Sequence, residues 1–182
     1  MLNGLTLMSG GALRVELFGL AKFGVNRYIL RLNLQLNKAG NVQIEDAALS
    51  DGNRIAPLFL QRATGATGSL NPLHYGFKYD STIPVMVKKL DNFEITKVDV
   101  LKIDAEGNEL RILRGASQTI ACERPIIAVE VHEPRKPYRS ICKCETCEYL
   151  ISLVYHVTIL GEYTATPAHW VFAKPIDPRS NS

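Results

Sequence analysis

No stretch of this sequence stays apolar for the roughly 18 residues a bilayer-spanning helix requires, which excludes a helical membrane span on sequence grounds. Met1 to Gly11 is apolar but has no basic residue ahead of its apolar part, so it makes a poor secretory signal. Lys and Arg never stack into one long run, and the formal net charge is only +3. A nucleic-acid partner, which usually shows as a basic stripe, is therefore not expected. Internal repeats and low-complexity segments are also lacking, which excludes a repeat array. Cysteine is scarce, at four residues, and there is no second paired-cysteine motif. These absences leave an expectation of a soluble, intracellular chain, placed in the cytoplasm, with its thiols reduced rather than bridged.

What is present suits one globular domain. The chain has 182 residues, 46% of them hydrophobic and 21% charged, enough for a sizeable core. The domain is expected over residues 1–174, with a fraying tail at 175–182 that is rich in proline and polar residues. Leu13 to Phe18 reads as a short buried strand. Val25, Ile29, Leu32 and Leu36 recur at helical spacing and make one apolar face, and Gly40 stands where a C-cap glycine belongs. Val42 to Ala48 reads as a strand that ends in the turn signal Ser50-Asp51-Gly52-Asn53.

Arg54 to Gln61 and Ile83 to Lys88 read as two further strands. The loop between them, Arg62 to Ser81, is long enough to suggest a substrate-side flap. Val98 to Asp104 is the clearest strand, followed by a helix from about Asn108 to Arg114 with Gly115 at its end. Pro125 to Val131 is almost wholly apolar, as in a parallel strand covered on both faces. A helix at Glu145 to Leu153 and a strand pair, His156 to Leu160 with His169 to Ala173, close the domain.

Strands alternating with helices predict an open α/β sheet. Ligands in that architecture sit at the carboxyl ends of the strands. Asp46-Ala47, Asp104 to Glu106 and Glu130 to His132 should therefore meet on one rim.

The segment Lys102-Ile103-Asp104-Ala105-Glu106-Gly107-Asn108-Glu109, followed by Leu113-Arg114-Gly115-Ala116, resembles the signature of the FkbM methyltransferase family. Leu90-Asp91, Ala47 to Asp51, Pro125 to Glu130 with His132, and Asn33 to Asn37 resemble other family segments, in the family's order. The resemblance implies a Rossmann-like class I methyltransferase fold, a mostly parallel α/β sheet with an antiparallel closing strand. It implies S-adenosyl-L-methionine as cofactor and a small-molecule or glycan acceptor.

Two family features are missing. The opening strand and glycine-rich turn would precede Met1, so the first strand is expected to be absent and the domain partial at its N-terminus. Gly19 and Leu20 stand where an acid usually holds the ribose. These gaps support an alternative reading, a non-catalytic or degenerate remnant of the fold acting as an interaction module.

Methyl transfer is an in-line displacement, in which an enzyme mainly positions the reactants and supplies a base. Asp104 and Glu106, at the rim, are candidates for catalysis; either could instead cap the following helix. His132, with an ordinary imidazole pKa near 6.5, could take a hydroxyl proton at neutral pH. Glu109 reads as a first-turn helix acid, and Lys102 as a partner for a carboxylate or a snorkelling side chain.

By resemblance, Asp46 and Ala47 contact the adenine; Asp46 could equally be a turn residue. Asn3 and Gly4 would touch the amino-acid end of the cofactor, and Asp104 is a further candidate for cofactor binding. Glu130, His74 and Tyr75 are candidates for the acceptor. Cys142, Cys144 and Cys147 lie close enough to suggest zinc, which normally wants four ligands, and His132, His156 or Cys122 could complete the set; the alternative is three reduced thiols at a loop and helix start. No metal is assigned, and a small zinc module stands as a third reading.

Overall fold

The computed structural model describes residues 4–9, 14–19, 25–61, 68–72, 79–132, 144–162 and 168–177. Its main sheet has seven strands in the order β10-β11-β9-β8-β1-β2-β3. These are β1 Gly4–Ser9, β2 Arg14–Gly19, β3 Val42–Glu45, β8 Val100–Asp104, β9 Ile126–Val131, β10 Tyr155–Glu162 and β11 His169–Pro175. The pairs β2 with β3 and β8 with β9 are parallel. The closing pair β10 and β11 is antiparallel, and β11 runs antiparallel to β9, as the sequence led one to expect.

The centre of the sheet departs from expectation. Gly4–Ser9 occupies the place between β8 and β2 and runs antiparallel to both. The central position is thus filled by a reversed strand, where the sequence suggested a missing one. That pairing satisfies backbone groups of β8 and β2 that would otherwise be left without sheet partners in the interior.

β9 differs from the doubly covered strand expected, and β8 shares its one-sided burial. Leu101, Ile103, Ile127, Val129 and Val131 are fully buried, whereas Lys102, Ile126, Ala128 and Glu130 on the opposite face are only half-buried. The buried face forms the core with Ile112 and Leu113 of α2 (Glu109–Gly115), Ile120 of α3 (Ser117–Glu123), and Cys147 and Leu150 of α4 (Glu145–Ser152). Each such aliphatic side chain stabilises the fold by about 1.5–3 kcal/mol when fully removed from water. The period-2 pattern therefore separates a fully buried apolar face from a half-buried face that carries Lys102 and Glu130.

The helix α1, Val25–Leu36, forms where its spacing predicts, but its buried face is not the expected one. Ile29, Leu32 and Leu36 are exposed, and Leu30 is the buried residue. The left-handed residue after this helix is Lys38, at φ 53°. Gly40 is not the cap; its N–H donates to the Lys38 carbonyl at 2.9 Å.

A second sheet has the order β4-β7-β5-β6: β4 Ala48–Leu49, β5 Arg54–Leu60, β6 Gly68–Ser69 and β7 Ser81–Lys88. The expected strand Val42 to Ala48 is thus broken at Asp46-Ala47, where the chain leaves one sheet for the other. Two contacts tie this second sheet to the start of α2. The Asn108 amide donates to the Leu49 carbonyl at 2.8 Å, and the Ser50 hydroxyl lies 3.5 Å from Asn108 Oδ1.

Asp91 follows Leu90 in a 3-10 turn (Leu90–Phe93) and caps α3. Its carboxylate accepts from the backbone N–H groups of Gln118 and Thr119 at 3.0 and 2.9 Å. Such side-chain oxygens satisfy donors that have no partner within the helix. No described helix is long and apolar enough to cross a membrane.

Gly115 fits because it lacks a Cβ. A methyl there would stand 2.0 Å from the Ser50 carbonyl oxygen, a backbone atom that cannot swing away. Gly115→Ala should therefore lower unfolding stability by about 1–3 kcal/mol or more, despite alanine's helix propensity advantage of about 1 kcal/mol. Gly40→Ala, where nothing lies within 4 Å, should stay within about 0.5 kcal/mol of the parent. Denaturant melts of the two variants check this; equal midpoints would contradict it.

Candidate functional site

The site grows from the end of β8. Asp104 is the strand's last residue and stands in register with Glu130 on β9. Lys102, two residues earlier on the same face, places its ammonium 3.1 Å from Asp104 Oδ2 and 5.4 Å from the ring centre of Trp170. Trp170 lies opposite Glu130 in the next ladder. One sheet face therefore carries Lys102, Asp104, Glu130 and His132 side by side.

The turn after β8 is unusual. Glu106 has φ 49° and Gly107 has φ 88°. A left-handed conformation costs a side-chain-bearing residue about 1–2 kcal/mol, so it persists only where neighbours enforce it. Two contacts do so. The Ser69 hydroxyl donates to the Glu106 carbonyl at 2.6 Å, and the Glu109 carboxylate accepts from the Gly107 N–H at 2.9 Å. Ser69 belongs to the segment read as a flap, so part of that segment does reach the rim.

Glu109 is the residue sequence reasoning undervalued. It begins α2 and is almost completely buried. The same carboxylate oxygen also accepts from the Ala105 N–H at 3.3 Å and lies 2.8 Å from His132 Nδ1. The other imidazole nitrogen, Nε2, faces Glu106 at 3.6 Å and Glu130 at 3.8 Å. His132 is thus surrounded by three acids.

That environment decides the histidine's charge. Burial alone would lower its pKa, but the hydrogen bond and charge of Glu109, then the charges of Glu106 and Glu130, raise it to about 9. The imidazole is held protonated at neutral pH, which differs from the ordinary imidazole on which the sequence reading relied. The Glu130 carboxyl is pushed upward by burial and then by the neighbouring Asp104. The Tyr79 phenol, in reach of Ser69 and near Glu106, is likewise pushed upward by burial. Tyr79 carried no motif in the sequence and was missed.

Strand directions bring further candidates to this end of the sheet. β3 runs parallel to β2, and β2 runs parallel to β8 through the reversed β1. Asp46, just past β3, therefore lies on the same rim as Asp104, with Ala47 beside it. Three strand spacings separate them, roughly 14 Å. Gly4 pairs with Gly19 beside Leu5 and Ile103, so it too lies at that rim. Asn3, His74 and Tyr75 lie outside the described residues. Ligand atoms of Asp104, Glu130 and His132 lie within 4.8 Å of one another and have the donor types to hold a cation.

An α/β sheet with polar strand tips on one rim is the architecture of the Rossmann-like class. Residues 17–157 match the family model described as the methyltransferase FkbM domain, and the chain belongs to that family. The crystal structure of methyltransferase FkbM from Methylobacillus flagellatus KT is similar, with a TM-score of 0.59 at 15% identity. The similarity covers 88% of this chain but only 36% of that protein's chain, so this sequence spans little more than a third of its length. No curated protein matches the chain.

The histidine's raised pKa makes stability depend on pH. His132 binds its proton more tightly folded, near 9, than unfolded, near 6.5. Its contribution is fully present below about pH 6.5 and is lost as pH rises through about 9. By this linkage the loss amounts to about 3 kcal/mol at most. Thermal melts should show stability declining across that window, and His132→Asn should flatten the decline. A variant with the parent's slope would refute the assignment.

Proposed function

We propose that this chain supports S-adenosylmethionine-dependent methyl transfer to a hydroxyl group of a sugar, glycolipid or natural product. The observation that carries the reading is the meeting of Asp104, Glu106 and Glu130 around His132 at one rim. The cofactor, when bound, supplies an electrophilic methyl group on a sulfonium.

The donor set suits such a ligand. Asp104, Glu106, Glu109 and Glu130 outnumber the cations Lys102 and His132 at the site, an excess of negative charge that favours ammonium and sulfonium groups. Asn3 and Gly4 hold the amino-acid end of the cofactor, with Asp104 beside them at the rim. Asp46 and Ala47 hold its base. Catalysis here is chiefly positioning. Glu130 orients the acceptor hydroxyl, with His74 and Tyr75 on the acceptor side. Glu106 takes the hydroxyl proton. His132, a cation below about pH 9, holds Glu106 and Glu130 in place and balances their charge, while Asp104 keeps the donor side aligned.

One observation favours the second reading, a non-catalytic module of the same fold. Among the described residues, the central strand runs antiparallel and does not open the strand, glycine turn and helix unit that usually receives the cofactor. Calorimetric titration of the purified chain with S-adenosylhomocysteine separates the two. Binding that weakens about 10–100-fold in Asp104→Asn, as loss of a hydrogen bond to a charged group predicts, supports the enzyme. Absence of any binding heat by the folded parent leaves the module.

A further inference from the structure

The buried face of the sheet holds a second cluster that the methyltransferase reading leaves unused. Cys144 is the N-cap of α4, and its sulfur accepts from the Cys147 N–H at 3.2 Å. Cys147 lies one helical turn later. His169 begins β11 and turns its imidazole to the same side as Val171 and Ala173, toward α4. Its Nε2 lies 3.8 Å from the Cys144 sulfur. All three residues are buried, Cys147 and His169 completely, and their ligand atoms lie within 4.8 Å of one another.

We propose that the reduced chain binds a zinc ion through Cys144, Cys147 and His169, as a structural pin between α4 and β11. The donor set is the soft thiolate and imidazole combination that zinc prefers. The spacing is that of a Cys-x-x-Cys knuckle, with a backbone N–H already directed at the first sulfur, which favours the thiolate.

The observed separations need little change. Zinc at 2.3 Å from sulfur and 2.0–2.1 Å from nitrogen places tetrahedral ligand atoms about 3.3–3.8 Å apart. The 3.8 Å sulfur–nitrogen distance already fits. The two sulfurs, at 2.7 Å, must part by about 1 Å, within reach of a side-chain rotation.

Two thiols at a helix start also suit a redox pair, but such pairs need an accessible attacking sulfur. Here Cys144 is 4% exposed and Cys147 is 0% exposed, and an imidazole closes the third side. The Cys147 sulfur is disulfide-bonded in this structure, with the Cys144 sulfur 2.7 Å away. Oxidation of Cys147 and zinc binding exclude each other, so the site belongs to the reduced protein. Uptake of the ion releases the two thiol protons to solvent. Cys142, two residues before Cys144 in sequence, lies outside the described residues, and the fourth position is not assigned.

The test uses the full chain kept under reductant. Elemental analysis should give about one zinc per chain after dialysis against zinc and removal of loosely held ion. Cobalt added to the metal-free reduced chain should give the intense thiolate-to-metal absorption of a tetrahedral sulfur site, and zinc should displace it. Cys147→Ser should weaken zinc binding by more than the roughly 10–100-fold cost of losing an outer partner. Cys122→Ser, an exposed cysteine away from the cluster, should leave binding unchanged. Should Cys147→Ser fail to fold, the cobalt spectrum of the parent decides alone. A folded, fully reduced parent that takes up neither zinc nor cobalt overturns the proposal. So does a folded Cys147→Ser that retains the parent's affinity.

Discussion

One buried carboxylate ties the site together. Glu109 holds the two backbone N–H groups of the turn after β8 and grips His132 beyond the end of β9. Removing a charged acceptor from such a place leaves its donors unpaired in a dry interior, which costs more than the hydrogen bonds themselves contribute. The charge of His132 and, together with the Ser69 hydroxyl, the left-handed Glu106 turn depend on that contact. The residue is thus a positioning group for the rim, although it faces the core.

The two faces of the main sheet divide the work. One buries Leu101, Ile103, Ile127, Val129 and Val131 against α2, α3 and α4. The other displays Lys102, Asp104 and Glu130. The second sheet holds α2 from the side. Gly115 abuts the Ser50 backbone, Asn108 bonds the Leu49 carbonyl, and Ser69 bonds the Glu106 carbonyl.

Much of this was legible in the residues. β8, β9, α2, α4 and the closing strands stand within a few residues of where periodicity and turn signals put them, because those signals are local. The rim positions of Asp104, Glu130 and His132 followed from strand ends. α1 shows the limit: its apolar stripe at Ile29, Leu32 and Leu36 is real, yet the packed side is that of Leu30. Periodicity defines a face but not what lies opposite it. β1 shows it too, since no local feature of Gly4 to Ser9 tells whether the strand runs with or against its neighbours.

The sequence by itself determined the positions of α1, β8, α2, β9, α4 and the closing strands, the acids at the strand tips and the FkbM signature around Asp104. Only the tertiary structure decided the antiparallel direction of the central strand, the burial of Glu109, the protonated state of His132 and the meeting of His169 with Cys144 and Cys147. The first set rests on repeats of two and of three to four residues along one chain. The second rests on contacts between separate elements, such as Leu5 with Ile103, Glu109 with His132 and Cys144 with His169, whose energies depend on burial and on which charges share a dry space.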